Sequence, residues 1–281
     1  SCQKPMVITP FTVSTWNKIP ESYRGKVIDV ALERTDDSPR EVATFMTDHS
    51  GHFISESSVY RILKAADLIT SPNHILIKAA NEFKDKTTRI HQMWQTDFTY
   101  FKVVGAGWYY LSSIMDDYSR FIIHHELCST MKTPDVARNV EVALEKTGLK
   151  KGQRPKILSD NGSCYVSQDI KAFMKDKGIT QVHGAPMHPQ TQGKIERYHR
   201  SMKNVVKLHH YYTLSDLQRA IDEYIEYYNN ERYHESLNNC TPASVYNGTH
   251  HQILKQRQIL KQKSMQKRRR NHQRYKAENI L

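Results

Sequence analysis

The sequence predicts an α/β protein, a mixed five-stranded sheet with flanking helices, preceded by an all-α module. Three observations carry this. Apolar residues recur at helical spacing up to about residue 64. Between 93 and 127 they give way to three runs rich in aromatic and β-branched residues, as strands require. From there to about 212, helix-like and strand-like segments alternate, which is the order of a layered α/β domain.

Residues 1 to about 20 contain Pro5, Pro10 and Pro20 and read as an irregular arm. Tyr23, Val27, Ile28 and Ala31 share one face of a first helix. Ser38-Pro39 forms a cap followed by proline at the first helical position, and Val42, Ala43 and Phe45 are expected to face inward from the second helix. A turn at 49–52 precedes a third helix, capped by Ser55, in which Val59, Ile62 and Leu63 form an apolar stripe. Three short helices with a tight turn before the last fit a helix-turn-helix module. They fit a plain three-helix bundle as well. If the module binds DNA, Ser57, Ser58, Tyr60, Arg61 and Lys64 on the third helix are the candidate readers of a major groove. This first unit is expected to span 1–70, with a linker over 71–88.

The strand-like runs fall at 93–101, 108–115 and 121–127, joined by Gly105-Ala106-Gly107 and by Asp116-Asp117-Tyr118-Ser119, and so form an antiparallel meander. Pro134 starts a helix with Val136, Val140 and Leu144 inward and Gly148 as its stop. A short strand at 156–159 ends in Asp160-Asn161-Gly162; Ile170, Phe173 and Met174 mark another helix, and 179–182 a fifth strand. A loop with Gly184, Pro186, His188 and Pro189 leads to a long helix from about Gly193. Three strands, helix, strand, helix, strand, helix suits a ribonuclease-H-like core, expected over 89–212 with a helical extension over 213–250.

The 281 residues are 38% hydrophobic and 25% charged, an ordinary globular balance. The net charge of +12 points to a polyanionic partner. Ten Lys and Arg and no acid lie within 255–276, so the surplus is mostly a C-terminal feature, and 251–281 reads as a basic tail. Lys267, Arg268, Arg269 and Arg270 are its densest stretch and are expected to clamp DNA without regard to sequence, mobile when free because like charges repel. The four cysteines have no CxxC spacing, which argues against a zinc ribbon or a disulfide framework. No run approaches the roughly 18 apolar residues of a membrane span, and no signal-peptide pattern opens the chain, so a cytoplasmic protein with no membrane partner is expected. The chain opens with Ser1, as a fragment, a processed product or part of a longer fused product would.

Three carboxylates stand out by their places. Asp97 lies mid-strand, where an unpaired charge is costly to bury. Asp160 lies just past a strand end, where α/β sheets gather ligands. Glu196 lies near the start of a helix, with 35 residues between it and Asp160. Carboxylates from a strand centre, a strand end and a helix can converge, and an all-oxygen set favours Mg²⁺ or Mn²⁺ over zinc. Two such ions suit phosphoryl displacement. Any one of these acids alone is more simply a surface residue. His199, Arg200 and Lys203, at three, four and seven residues after Glu196, share its helical face and suit a site that holds metal and phosphate together. An ordinary surface pair between Glu196 and Arg200 is the plainer reading.

The segment from Met187-His188-Pro189-Gln190-Thr191-Gln192-Gly193 through Lys194-Ile195-Glu196-Arg197-Tyr198-His199-Arg200-Ser201-Met202-Lys203 resembles the signature around the catalytic Glu of insertion-sequence transposases of the OrfB type. These have a retroviral-integrase-like DDE core. Trp94-Gln95-Thr96-Asp97 and Ser159-Asp160-Asn161-Gly162 resemble the segments around that family's two catalytic Asp residues. Tyr228-Asn229, Arg232, His234, Leu237 and Thr241-Pro242-Ala243 resemble its closing motif. Together the matches run from about Arg89 to Asn247. The resemblance implies a ribonuclease-H-like core and two Mg²⁺ ions, replaceable by Mn²⁺, on Asp97, Asp160 and Glu196. It implies hydrolysis that frees a 3′-hydroxyl, and attack by that hydroxyl on a second phosphodiester. It adds Lys203 as a catalytic group, because the family often has a basic residue seven positions after its Glu. It implies terminal-repeat and target DNA as partners, self-association to at least a dimer, and residence in the bacterial cytoplasm, with the nucleoid when bound to DNA.

Overall fold

The computed structural model describes residues 16–69, 87–183 and 192–278. The arm before residue 16, nearly all of the linker, and the loop with His188 lie outside the described residues. The chain forms two compact units, 1–74 together with 251–281, and 75–250.

In the first unit, helices α1 (Glu21–Glu33), α2 (Pro39–Ser50) and α3 (Glu56–Ala65) enclose Val27, Val42, Met46, Ile54, Val59, Ile62 and Leu63. The α2 start is a full capping box. Ser38 Oγ accepts from Glu41 N, and the Glu41 carboxylate accepts from Ser38 N at 2.9 Å. Gly51, at φ 64°, ends the helix in the left-handed conformation that glycine adopts without a Cβ clash. Met46, and not Phe45, fills the inward position. Phe45 is half-buried, stacked on His49 and with the Arg34 guanidinium 4.6 Å from its ring centre.

The basic segment is no free tail. Helix α10 (His250–Glu278) is continuous, and it belongs to the same unit as the N-terminal helices. Ser264 Oγ accepts from Phe53 N at 3.0 Å. Arg268 donates to Phe53 O and to Asn17 Oδ1. Arg257 and Asp48 form a two-pronged pair at 2.7 and 2.6 Å. The expectation of a mobile run fails because α10 docks through polar groups, with Ser264 and Arg268 buried, and not through an apolar stripe.

The second unit is built on five strands: β1 (Met93–Val103), β2 (Gly107–Asp116), β3 (Ile122–Cys128), β4 (Lys156–Ser159) and β5 (Thr180–His183). Their order is β3-β2-β1-β4-β5. The first three are antiparallel neighbours, and β4 and β5 run parallel to β1. Gly105 and Gly107, at φ 82° and 97°, supply the tight turn between β1 and β2. One sheet face buries Phe101, Leu111 and Met115 against α7 (Gly193–Val206) and α8 (Leu214–Asn230), through Ile195, Tyr198, Met202, Leu217 and Ile221. The other buries Trp94, Ile114 and Ile157 against α4 (Thr133–Thr147), α5 (Ser163–Val166) and α6 (Gln168–Asp176). Each fully buried aliphatic side chain contributes about 1.5–3 kcal/mol, so α7 is held over the sheet by its apolar side while its polar side stays open. A short helix, α9 (Pro242–Tyr246), closes the unit. Among the described residues no helix is long and apolar enough to cross a membrane.

Candidate active site

Asp97 lies in central strand β1, in register with Ser113 of β2. On its other side β1 pairs with β4, Trp94 with Ile157 and Gln95 with Leu158. Two residues further along that parallel register stand Asp97 and Asp160, at the point where β4 ends. The strand stops there because the Asp160 side chain accepts from Gly162 N at 2.9 Å, closing an Asx-type turn. A Cβ on Gly162 would lie 3.0 Å from that same carboxylate, so a larger residue there would push the Asp160 side chain aside. Both acids act on the same neighbours. They help push the Cys164 thiol up to about 11, after burial, and both bear on the buried Tyr165 hydroxyl.

Glu196 comes from the first turn of α7 and is exposed. Burial and the Asp97 charge hold its carboxyl above the usual range, with Arg200, His199 and Arg197 pulling the other way. Asp97 is fixed from two sides: Phe98 N donates to Oδ1 at 2.8 Å, and His199 Nδ1 lies 3.3 Å from Oδ2. His199 is buried, with its Nε2 3.4 Å from Ser113 Oγ. Lys203 places its Nζ over the Tyr100 ring at 4.5 Å, within the field of Asp97; burial and Lys207 lower its ammonium from the ordinary lysine value. Arg200 is exposed on the same face. Among the described residues no three His, Cys, Asp or Glu side chains stand close enough to hold a metal ion as placed. Asp97 is therefore juxtaposed with Glu196 on one side and Asp160 on the other, without a closed cage.

The start of α7 is held by polar groups that the sequence reading missed. Gln95 Oε1 accepts from Ile195 N at 3.1 Å, and Gln95 Nε2 donates to Asp117 Oδ1 at 2.7 Å. Lys194 Nζ donates to Asp117 Oδ2 at 2.6 Å and to Asp117 O at 2.9 Å. Gln192 Nε2 reaches Thr96 O at 3.4 Å. The doublet Asp116-Asp117 was read as a turn, and Asp116 is one: it accepts from Ser119 N, Ser119 Oγ and His91 N. Asp117 instead ties β1 to α7. The available signal was a glutamine beside Trp94 in a central strand, a position that needs a buried polar partner.

In the first unit, Ser57, Arg61 and Lys64 are exposed on α3, and Tyr60 is half-buried with Lys64 over its ring. Ser58 is buried and shares its hydroxyl with Ser55 Oγ at 2.9 Å, so it is turned to the helix core and is not placed as an exposed candidate reader. Arg268 also leaves the set of phosphate contacts, because its guanidinium is spent on Phe53, Asn17 and His52. Lys267, Arg269 and Arg270 are exposed, with Arg269 over the Trp16 ring at 5.0 Å.

Two family descriptions, both "Integrase core domain", match residues 87–189 and 177–242, which together cover more than half of the chain. The putative transposase InsK for insertion sequence element IS150, from Escherichia coli K12, is 29% identical over 166 residues, 59% of this chain and 58% of that one. The Gag-Pro-Pol polyprotein of Simian retrovirus SRV-2 is 32% identical over 117 residues, 42% of this chain and 6% of that one. The chain thus spans less than two thirds of either curated relative. In three dimensions, a chain of the simian T-cell lymphotropic virus intasome superposes with a TM-score of 0.50 at 19% identity, over 74% of each chain, which supports the ribonuclease-H-like fold. The chain belongs to the integrase core domain family.

Proposed function

We propose that the protein is a DNA transposase that cuts DNA at the ends of a mobile element and joins the freed ends to a target. The observation that carries this reading is the line Asp160, Asp97, Glu196: two carboxylates side by side on the parallel register of β1 and the end of β4, and a third whose pKa is raised by burial and by the charge of the middle one. The donor set fits a hard divalent cation, since all three groups offer only oxygen. The repulsion between Asp97 and Glu196 is the kind of charge that such a cation offsets. Glu196 and Asp160 are both exposed, so neither side chain is packed into the core away from Asp97. Two Mg²⁺ ions, or Mn²⁺ in their place, would supply positive charge to the attacking and leaving oxygens of the phosphodiester.

The chain's own groups do the rest. His199 orients Asp97, and Gln95, Asp117 and Lys194 hold the helix that carries Glu196. Lys203 and Arg200, on the same helical face, neutralise phosphate oxygens beside the scissile bond. Hydrolysis of one phosphodiester leaves a 3′-hydroxyl, and that hydroxyl then attacks a phosphorus of target DNA and displaces its 3′-oxygen, so the number of phosphodiester bonds is conserved in the joining step. In the first unit, Ser57, Tyr60, Arg61 and Lys64 of α3 read the terminal repeat, while Lys267, Arg269 and Arg270 hold backbone phosphates. Joining two ends requires at least two copies of the chain, working in the cytoplasm on nucleoid DNA. The test is incubation with labelled terminal-repeat duplex, a target plasmid and Mg²⁺. Joined products support the reading; cleaved ends without joined products would make the protein a nuclease, and no metal-dependent cleavage would refute it.

A further inference from the structure

The closing motif, Arg232 and His234 in particular, has no part in the carboxylate site. Both residues line a cavity of about 400 Å³ in the second unit, together with Arg120, Lys194, Arg197 and Glu235. The lining is strongly cationic. Beside Lys194, which is paired with Asp117, three arginines and the Glu235 carboxylate line the same cavity. Their convergence has independent support. Arg120, Arg232 and Arg197 all act on the buried Tyr228 hydroxyl, drawing it down against the rise that burial imposes.

The elements that hold these groups are built for it. Arg120 adopts a left-handed backbone, φ 65°, at the corner between β2 and β3, with its N–H closing on Asp116 O at 2.8 Å. Side-chain-bearing residues disfavour that conformation, and its persistence at a cavity rim marks a fixed presentation of the side chain. Arg232 follows directly on the end of α8 and is steadied by Ser201 Oγ and by Tyr224 OH, 3.1 Å away. Lys194, Arg197 and Ser201 are spaced by three and four residues along α7 and so share one face. Glu196, His199 and Lys203 lie on the opposite one, because two residues correspond to about 200° of helical rotation.

We propose that this cavity binds a backbone phosphate of DNA, so that α7 is gripped by nucleic acid on the face away from its catalytic carboxylate as well as on the near one. This rests on the transposase reading. The planar guanidiniums of Arg120, Arg197 and Arg232 present paired N–H donors that match phosphate oxygens, and Glu235 competes for them when DNA is absent. The family's closing motif then has a chemical task, anchoring DNA that the carboxylate site does not itself contact.

The experiment measures the affinity of the full chain for random-sequence duplex DNA across a salt series. The variants are Arg120→Gln, Arg197→Gln and Arg232→Gln, with Arg138→Gln on α4, where Arg138 pairs with Glu126, as control. Melting curves verify the fold of each, and Arg197, exposed on its helix, gives the variant least able to disturb it. Each lost phosphate contact flattens the slope of log affinity against log salt by about 0.9. That flattening in Arg120→Gln and Arg197→Gln, with none in Arg138→Gln, is the expected result. Unchanged slopes in both, with normal melting, would overturn the assignment. Stabilisation of the wild type by inorganic phosphate alone, with unchanged slopes, gives the cavity to a free anion and overturns it too. Metal-dependent cutting and joining by the wild type, scored in parallel, keeps the two readings apart. If it persists while the slopes are unchanged, only this inference falls. If the wild type neither binds nor cuts DNA, both fall.

Discussion

Asp117→Asn tests the idea that the catalytic helix is positioned by a buried polar clamp. The Asp117 side chain is 3% exposed and Lys194 23%, and the carboxylate accepts from Lys194, Gln95 and Thr87 at 2.6 to 2.7 Å. An amide in its place presents one oxygen and one NH₂ group to three donors, so at least one donor is left facing another donor. Breaking a buried pair by removing one partner costs about 3–5 kcal/mol, and the partial exposure of Lys194 puts the value near the lower end, about 3 kcal/mol. In a unit of this size 1 kcal/mol moves the midpoint by about 2–4 °C, so melting should fall by about 6–12 °C. Lys194→Met in the same background should recover part of the loss, because it removes the stranded charge; the double-mutant cycle should give a coupling of about 2 kcal/mol or more. At temperatures where the variant remains folded, cleavage should still drop by about 100-fold, since a 1 Å shift of a catalytic group has that effect. The assays are thermal melting of the four proteins of the cycle and cleavage of labelled duplex at 20 °C below the lowest midpoint. If Asp117→Asn melts with the wild type and cuts at its rate, α7 is held by its apolar face alone.

Three further outcomes are expected. Asp97→Asn, Asp160→Asn and Glu196→Gln should each abolish cleavage and joining while sparing DNA binding, because each keeps shape but removes a charge that holds metal; substantial activity in any of them would sink the trio. Without metal, Glu196→Gln should melt above the wild type at neutral pH, and the gap should close as pH falls through the raised Glu196 pKa, because the burial penalty and the repulsion from Asp97 exist only while Glu196 is ionised; a gap independent of pH would contradict that cause. Arg268→Ala should loosen α10 by about 1–3 kcal/mol by stranding Phe53 O and Asn17, seen as faster amide exchange along α10, whereas Lys267→Ala, whose side chain is exposed, should leave that exchange unchanged.

Much of the second unit was legible in the sequence because its signals are local. Strands β1 to β3 show themselves by aromatic and β-branched runs broken at Gly105-Ala106-Gly107 and at the Asp116 turn, and α4 by Pro134, its apolar stripe and Gly148. Asp97, Asp160 and Glu196 could be singled out because a carboxylate inside a strand, past a strand end, or at a helix start has a place that chain order alone reveals. Contacts between distant polar groups leave no such trace. Gln95 meets Ile195 across 100 residues, Lys194 meets Asp117 across 77, and Arg268 meets Phe53 across 215. A hydrophobic period reports which face of an element is buried, never which element covers it, and a charged residue that docks by hydrogen bonds reads in sequence as one that faces water. That is why Ser58 and Arg268 were taken for DNA contacts and are buried, and why a basic tail became a helix of the first unit. The composition and chain order of this protein determined its layers and its three acids; the tertiary structure alone decided which polar groups are spent inside and which remain at the surface, because that choice depends on partners far away along the chain.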